Sequence, residues 1–203
     1  MRTVLFNDQP YSPNKIVCIG KNYTDHIEEM DAVVPDDMVV FMKPNSAISQ
    51  TLRAFDGEPI HFEGEICFAM IAGQVAGIGF GLDLTKRALQ WTLKKAGLPW
   101  ERAKAFDGSA LFSDFVPAPA NLDNVRLELW IDGALRQQGG CKHMLYPPTS
   151  MLGELANFTT LDDYDIVMTG TPAGVGEVPQ GAQFEGRVFD GDRELIRAIW
   201  QAQ

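Results

Sequence analysis

From Ile60 to Met70 the side chains alternate almost without error. Ile60, Phe62, Ile66, Phe68 and Met70 fall on one parity, and His61, Glu63, Glu65 and Cys67 on the other. A period of two is the period of a strand, so the segment predicts a strand with one greasy face and one face carrying two carboxylates and an imidazole. Carboxylates two residues apart on one strand face repel each other unless solvent screens them or a cation lies between them. Solvent is the bland reading, since many strands have one wet face. A divalent cation is the sharper one, and oxygen-only ligands suit Mg²⁺, Mn²⁺ or Ca²⁺ better than Zn²⁺.

A chain of 203 residues supports one domain with a real core. Its 19 glycines and 12 prolines imply many turns, and hence strands more than long helices. Asp132-Gly133, between Leu127–Ile131 and Leu135–Gln137, is a good hairpin signal. Asp190-Gly191 is a weaker one, because Leu195, Ile196, Ile199 and Trp200 also fit helical spacing. Further strands are expected at Lys15–Ile19, Met38–Met42 and Ile166–Met168. Helices are expected near Tyr23–Met30, from Leu84 to Ala96, and at Met151–Phe158. For the second of these, Asp83 stands where a cap belongs and Gly97-Leu98-Pro99 where the helix stops.

A formal charge of −10 argues against nucleic acid and anionic membrane as partners, since both demand basic surface. It does not argue against a small anionic substrate, because a metal and a few lysines reverse the field locally. The N-terminal apolar run, Val4-Leu5-Phe6, is too short for a signal peptide, and no segment approaches a membrane span. Three widely spaced cysteines (Cys18, Cys67, Cys141) without a CxxC read as reduced buried thiols in a cytoplasmic protein.

Two further features keep the acidic strand company. Asp83, directly before a helical pattern, reads first as a cap, but it also offers a third oxygen ligand. His26 and Glu29 are three apart, so on a helical turn they share a face. A carboxylate that orients an imidazole and raises its basicity makes a general base able to activate water.

The strings Lys15-Ile16-Val17-Cys18-Ile19-Gly20-Lys21-Asn22-Tyr23, His61-Phe62-Glu63-Gly64-Glu65, Asp83-Leu84-Thr85 and Asp165–Pro172 occur in one order. That ordered set resembles the fumarylacetoacetate hydrolase family, in particular its short, single-domain acylpyruvate hydrolase branch, from about Lys15 to the C-terminus. The resemblance implies a mostly β (α+β) fold: a mixed β-sandwich roll with a few short peripheral helices. It sets residues 1–14 apart as a short extension and makes 15–203 a single catalytic domain. It implies that Glu63, Glu65 and Asp83 bind Mg²⁺ or Mn²⁺, with Ca²⁺ a possible substitute, and that His26 and Glu29 form a water-activating dyad. Lys104 falls at a catalytic lysine position. Lys43, Arg87, Gln90, Gly170 and Thr171 fall at substrate-binding positions, Thr171 on a substrate carboxylate. A homodimer is implied as well. One departure stands out: the stretch between Glu65 and Asp83 is about ten residues shorter than in such relatives, leaving Gly73–Gly77 as connector, and a shortened hairpin there is expected to shift Asp83 or open the pocket.

The implied substrate is a small 2-oxo acid. In a 3-acylpyruvate, water activated by His26 and Glu29 attacks the distal carbonyl, Lys104 stabilises the oxyanion, and the C–C bond breaks to give pyruvate and a carboxylic acid. The same enolate chemistry admits oxaloacetate decarboxylation or tautomerisation, and the dyad favours hydrolysis over decarboxylation. Readings from other classes are a non-catalytic module binding metal or oxo acid, and a purely structural oligomer. The last requires the charged strand face to lie in solvent.

Overall fold

The computed structural model describes residues 1–29 and 36–203. In chain order the first strands are β1 (Val4–Phe6), β2 (Gln9–Tyr11), β3 (Lys15–Gly20), β4 (Val39–Pro44), β5 (Ile60–Phe62), β6 (Gly64–Ile71), β7 (Gln74–Asp83) and β8 (Thr85–Lys86). The remainder are β9 (Ala110–Phe112), β10 (Val116–Pro117), β11 (Val125–Ile131), β12 (Ala134–Gly140), β13 (Ile166–Met168), β14 (Gly176–Glu177), β15 (Gln183–Asp190) and β16 (Arg193–Gln201). Four short α-helices accompany them: α1 (Thr24–Glu29), α2 (Arg87–Lys95), α3 (Glu101–Lys104) and α4 (Pro148–Ala156). Met30, the last residue of the first expected helix, lies outside the described residues.

The larger sheet runs β10-β7-β6-β13-β3-β4, with β9 also on β7, and the second runs β12-β11-β15-β16. Only β13 and β3 pair in parallel within the larger sheet, which makes it mixed. The fold is therefore the mostly β roll expected. Phe80 of one sheet lies 5.9 Å from Trp200 of the other, and Phe62 lies 5.2 Å from Phe184, centroid to centroid. No helix among the described residues is long and apolar enough to cross a membrane.

The strand that opened the sequence argument is real but differently dressed. It breaks at Glu63 into β5 and β6, and every residue from Gly64 to Met70 is buried. Ile66, Phe68 and Met70 enter the core between the sheets, while Cys67 and Ala69 enter a second core on the opposite face. The alternation sorts two cores rather than inside from outside, and the wet-face reading is overturned. With it goes the structural oligomer, which needed that face in solvent. His61 stays apart from the carboxylates, on β5 opposite Thr85, with Glu177 3.9 Å away.

The second core is closed by residues 1–14. Their hairpin β1-β2 buries Val4 and Tyr11 against it, and Phe115 N donates to the Leu5 carbonyl at 2.8 Å. Opposite them β7 is bare at every second residue. A Cβ at Gly77 would fall 2.8 Å from the Phe6 ring, one at Gly79 2.7 Å from Phe115, and one at Gly81 2.5 Å from Cys67 Sγ. Gly81→Ala is expected to cost about 1–3 kcal/mol of stability through overpacking. Gly153→Ala, with open space inside α4, is expected to gain about 0.5–1 kcal/mol. Urea unfolding of the two variants checks the pair.

Four local expectations need correction. The connector Gly73–Gly77 is mostly strand: the turn is Ala72-Gly73, both at positive φ (51° and 71°), and β7 begins at Gln74. Asp83 ends that strand instead of capping a helix, because Thr85 and Lys86 pair with His61 and Ile60 and delay the helix to Arg87. The cap comes from Glu58, whose Oε1 accepts from the Ala88 and Leu89 amides at 2.9 and 3.3 Å. The expected helix at Met151–Phe158 forms earlier, over Pro148–Ala156. The stop at Gly97 is as expected: at φ 63° it lets Leu98 N reach the Leu93 carbonyl, 2.9 Å. At the C-terminus the hairpin reading holds over the helical one, with Gly191 at φ 60° starting the turn from β15 into β16. The Asp132-Gly133 hairpin forms with both turn residues at positive φ, as a type I′ turn requires.

Candidate active site

The β6-β7 hairpin brings Glu63, Glu65 and Asp83 together by register. Glu65 stands opposite Gly81 and Gly64 opposite Leu82, so the next step places Glu63 across from Asp83, whose amide donates to the Glu63 carbonyl at 2.8 Å. The shortened connection therefore leaves Asp83 in place. Each of the three residues offers a carboxylate oxygen within 4.8 Å of the others, and none is more than 5% exposed.

Three cations surround them. Lys104, at the end of α3, puts Nζ 2.7 Å from Glu63 Oε2 and 2.8 Å from Asp83 Oδ2. Arg87, the first residue of α2, bonds Glu63 Oε1 through one amino group and Gln90 Oε1 through the other, the latter at 2.8 Å. Lys43 is fully buried behind Asp83, outside the cleft wall, and donates to the Lys104 and Leu84 carbonyls. Its Nζ lies 2.8 Å from Asp83 Oδ1 but off the hydrogen-bonding direction, so that oxygen is buried and accepts no hydrogen bond.

The charges are unevenly compensated. Burial pushes the Glu63 carboxyl up, but Lys104 and Arg87 outweigh it and hold Glu63 well below the usual carboxylate range. Burial likewise lowers Lys104, and Asp83 and Glu63 more than restore it, leaving its ammonium firmly charged. Glu65 goes the other way. Burial and the repulsion of Asp83 and Glu63 raise it, against the Gly170 amide, which donates to Oε2 at 2.7 Å. An acidic triad with one orphaned oxygen, one uncompensated carboxylate and oxygen donors only fits a hard divalent cation.

The triad floors a cleft that His26, Arg87, Gln90, Lys104 and Thr171 also line. His26 faces it from α1, with Nδ1 3.4 Å from Glu29 Oε2. Glu29 is fixed in turn by the Gly174 amide, 3.0 and 3.1 Å from its two oxygens. The Thr171 hydroxyl donates to the Gly64 carbonyl at 2.9 Å and accepts from Gln137 Nε2 at 2.8 Å. Of the eleven residues singled out in the sequence, eight line the cleft, while Lys43, Glu29 and Gly170 stand directly behind Asp83, His26 and Glu65.

Several groups went unnoticed in the sequence. Gln137, on β12 and 1% exposed, ties the Gly64 amide, Thr171 and the Pro172 carbonyl together. Asn22 locks the turn before α1 to the Thr169 and Tyr146 carbonyls. Both side chains answer partners at least 34 residues away, so no local pattern announces them. Ile19, Gly20, Lys21, Phe41, Lys94 and Trp100 complete the wall.

Comparison with known proteins places the chain in a family. The pattern of the fumarylacetoacetate (FAA) hydrolase C-terminal domain matches residues 15–198. The chain is 37% identical over 207 aligned residues to the oxaloacetate tautomerase YcgM of Escherichia coli, covering 93% of this chain and 94% of that one. It is 33% identical to the human mitochondrial oxaloacetate tautomerase FAHD1, over 85% and 86% of the two chains. Among solved structures, a fumarylpyruvate hydrolase from Pseudomonas aeruginosa in complex with Mn²⁺ and pyruvate superposes with a TM-score of 0.86 at 29% identity, covering 99% and 95%. With the acidic hairpin, the His-Glu helix and the Thr-Gly-Thr-Pro loop gathered at one cleft, the chain belongs to the fumarylacetoacetate hydrolase family.

Proposed function

We propose that the protein is a divalent-metal-dependent tautomerase of oxaloacetate. The observation that carries the reading is the buried three-carboxylate floor facing a histidine that a second carboxylate holds in place. The names of relatives that match this chain along most of its length support it. A cation held by Glu63, Glu65 and Asp83 supplies Lewis acidity toward the 2-oxo acid head of the substrate. Glu29 engages His26 Nδ1, which leaves Nε2 as the nitrogen that moves protons. His26 takes the C3 proton of the keto form, the C–H electron pair forms the C2=C3 double bond as the C2=O π pair moves to oxygen, and a proton is added at that oxygen, so no carbon–carbon σ bond breaks. The Lys104 ammonium faces the negative charge that develops at oxygen during that transfer.

The second reading is hydrolysis of 3-acylpyruvates, supported by the fumarylpyruvate hydrolase neighbour. Here His26 and Glu29 activate water toward the distal carbonyl, and the C–C bond breaks to pyruvate and a carboxylic acid. Purified protein assayed on oxaloacetate, acetylpyruvate and fumarylpyruvate, each with EDTA and with Mg²⁺ or Mn²⁺, separates the readings. Metal-dependent keto–enol exchange of oxaloacetate is the expected result. Cleavage of an acylpyruvate without oxaloacetate exchange would move the assignment to the second reading, and inertness on all three substrates would end both.

A further inference from the structure

We propose that Gln137 is a positioning residue of the metal site: acting directly and through Thr171, it fixes the peptide between Glu63 and Glu65 and so keeps the three carboxylates spaced for a small divalent cation. The inference rests on reading Glu63, Glu65 and Asp83 as the metal ligands.

Two carboxylates on one unbroken strand keep their spacing through the ladder, but here the ladder changes at Glu63. That residue lies between β5, which pairs with β8 and β14, and β6, which pairs with β7 in the larger sheet. The Glu63–Gly64 peptide is instead pinned from two sides. Its carbonyl accepts from the Asp83 amide at 2.8 Å, and its N–H donates to Gln137 Oε1 at 2.9 Å. The next carbonyl, that of Gly64, accepts from the Thr171 hydroxyl at 2.9 Å. Gln137 Nε2 donates to that same hydroxyl oxygen and to the Pro172 carbonyl, both at 2.8 Å. These bonds close a ring through Gln137, Thr171 and Gly64, and its direction is forced. The Gly64 N–H only donates and the Pro172 carbonyl only accepts, so the amide cannot turn over. The loop clamped by the ring also carries the Gly170 amide, the 2.7 Å donor to Glu65 Oε2.

The plain alternative is a satisfied core glutamine that fills space between the sheets. An apolar side chain fills such space without needing three partners. Gln137 is 1% exposed, on an edge strand whose adjacent residues Arg136 and Gln138 are exposed. Its close approach uses the missing side chain of Gly64, where a Cβ would fall 3.0 Å from Gln137 Oε1 and 3.1 Å from the Phe80 ring. The glycine between the two glutamates and the glutamine that meets it form one arrangement, and that arrangement ends on the ligands. Its rigidity matters more to one cation than to another. Mg²⁺ demands a near-octahedral set of oxygens at about 2.1 Å, whereas Ca²⁺ accepts more oxygens, at about 2.4 Å, in variable geometry. Loosening the Glu63–Gly64 peptide therefore penalises Mg²⁺ first.

Calorimetric titration of Mg²⁺ and of Ca²⁺ into metal-free protein, without substrate, tests this. Gln137→Met, close in volume and lacking the amide, should weaken Mg²⁺ by about 10- to 100-fold, the range for a partner that orients a ligand, and Ca²⁺ by no more than about threefold. Thr171→Val should shift the ratio of the two affinities in the same direction by less. Thr171→Ser, which keeps the hydroxyl, should hold that ratio at the wild-type value. Titrations run well below the melting temperature read folded protein alone, so a residue that only holds the fold together leaves both affinities in place. An unchanged ratio in Gln137→Met, whether both affinities stay or fall together, overturns the assignment. Should that variant fail to fold, the ratio in Thr171→Val decides in the same way. Wild-type protein that binds neither cation defeats the metal reading beneath the proposal, whereas wild-type binding with an unmoved ratio in the variants defeats the role of Gln137 alone.

Discussion

Exchange of Glu63 for Gln is expected to lower metal-supported turnover by a factor on the order of 10³ and the stability of the fold by about 3 kcal/mol. Both effects have one origin. Glu63 is the counter-charge of Lys104 and Arg87 at once, with side chains 7%, 3% and 16% exposed. Removing its charge leaves Arg87 without a carboxylate and Lys104 with Asp83 alone. Its carboxyl titrates lower in the fold than in the open chain, so the stabilisation is full above the ordinary carboxylate range and is lost as pH falls toward the folded value. Glu65→Gln separates the two effects. It is expected to abolish the metal response equally while leaving the metal-free fold unchanged or about 1 kcal/mol more stable, because Glu65 faces two like charges with the Gly170 amide to offset them. Denaturant unfolding with EDTA and with Mg²⁺ reads both terms, since a cation that binds the folded state alone must stabilise it. A Mg²⁺-induced shift that survives in both variants would place the cation elsewhere.

The contrast between these two glutamates shows what a sequence can and cannot reveal. Their shared strand parity was plain in the alternation from Ile60 to Met70, and so was the helical spacing of His26 and Glu29. Whether that parity faced water was not, because Cys67 and Ala69 are small and the hairpin that covers them lies more than fifty residues upstream. The third ligand position depended on where the chain turns. Gly73–Gly77 reads as a connector in the sequence, yet Gly77 belongs with Gly79 and Gly81 to a strand face shaved to admit Phe6, Phe115 and Cys67. A turn longer by one residue, or a hairpin without the bulge after Ala69, would put Asp83 on the opposite face, so its place opposite Glu63 rests on the Ala72-Gly73 turn together with that bulge. The cap of α2 was illegible for a related reason: Glu58 reaches it from another element, and Asp83 sits where a local rule would look first.

Exchange of His26 for Ala is expected to lower turnover by about 10²- to 10⁴-fold, the range that a positioned general base contributes. The imidazole is buried at the cleft wall and makes no described hydrogen bond to the triad, so calorimetric Mg²⁺ binding should change far less than turnover. Its partner is held by one amide. A methyl group at Gly174 would lie 2.0 Å from the Arg136 carbonyl oxygen, and φ 101° there excludes ordinary side chains. Gly174→Ala must therefore move the loop and withdraw the donor that fixes both Glu29 oxygens. A loss of about 10- to 100-fold is expected, as for other changes one step removed from a reacting group. A merely structural defect would add to the loss caused by Glu29→Gln. A mispositioned Glu29 acts only through His26, so Gly174→Ala combined with Glu29→Gln should lose no more than either variant alone. Additive losses in that double variant would show that the Gly174 amide does not act through Glu29, and full turnover in His26→Ala would show that the base is another residue.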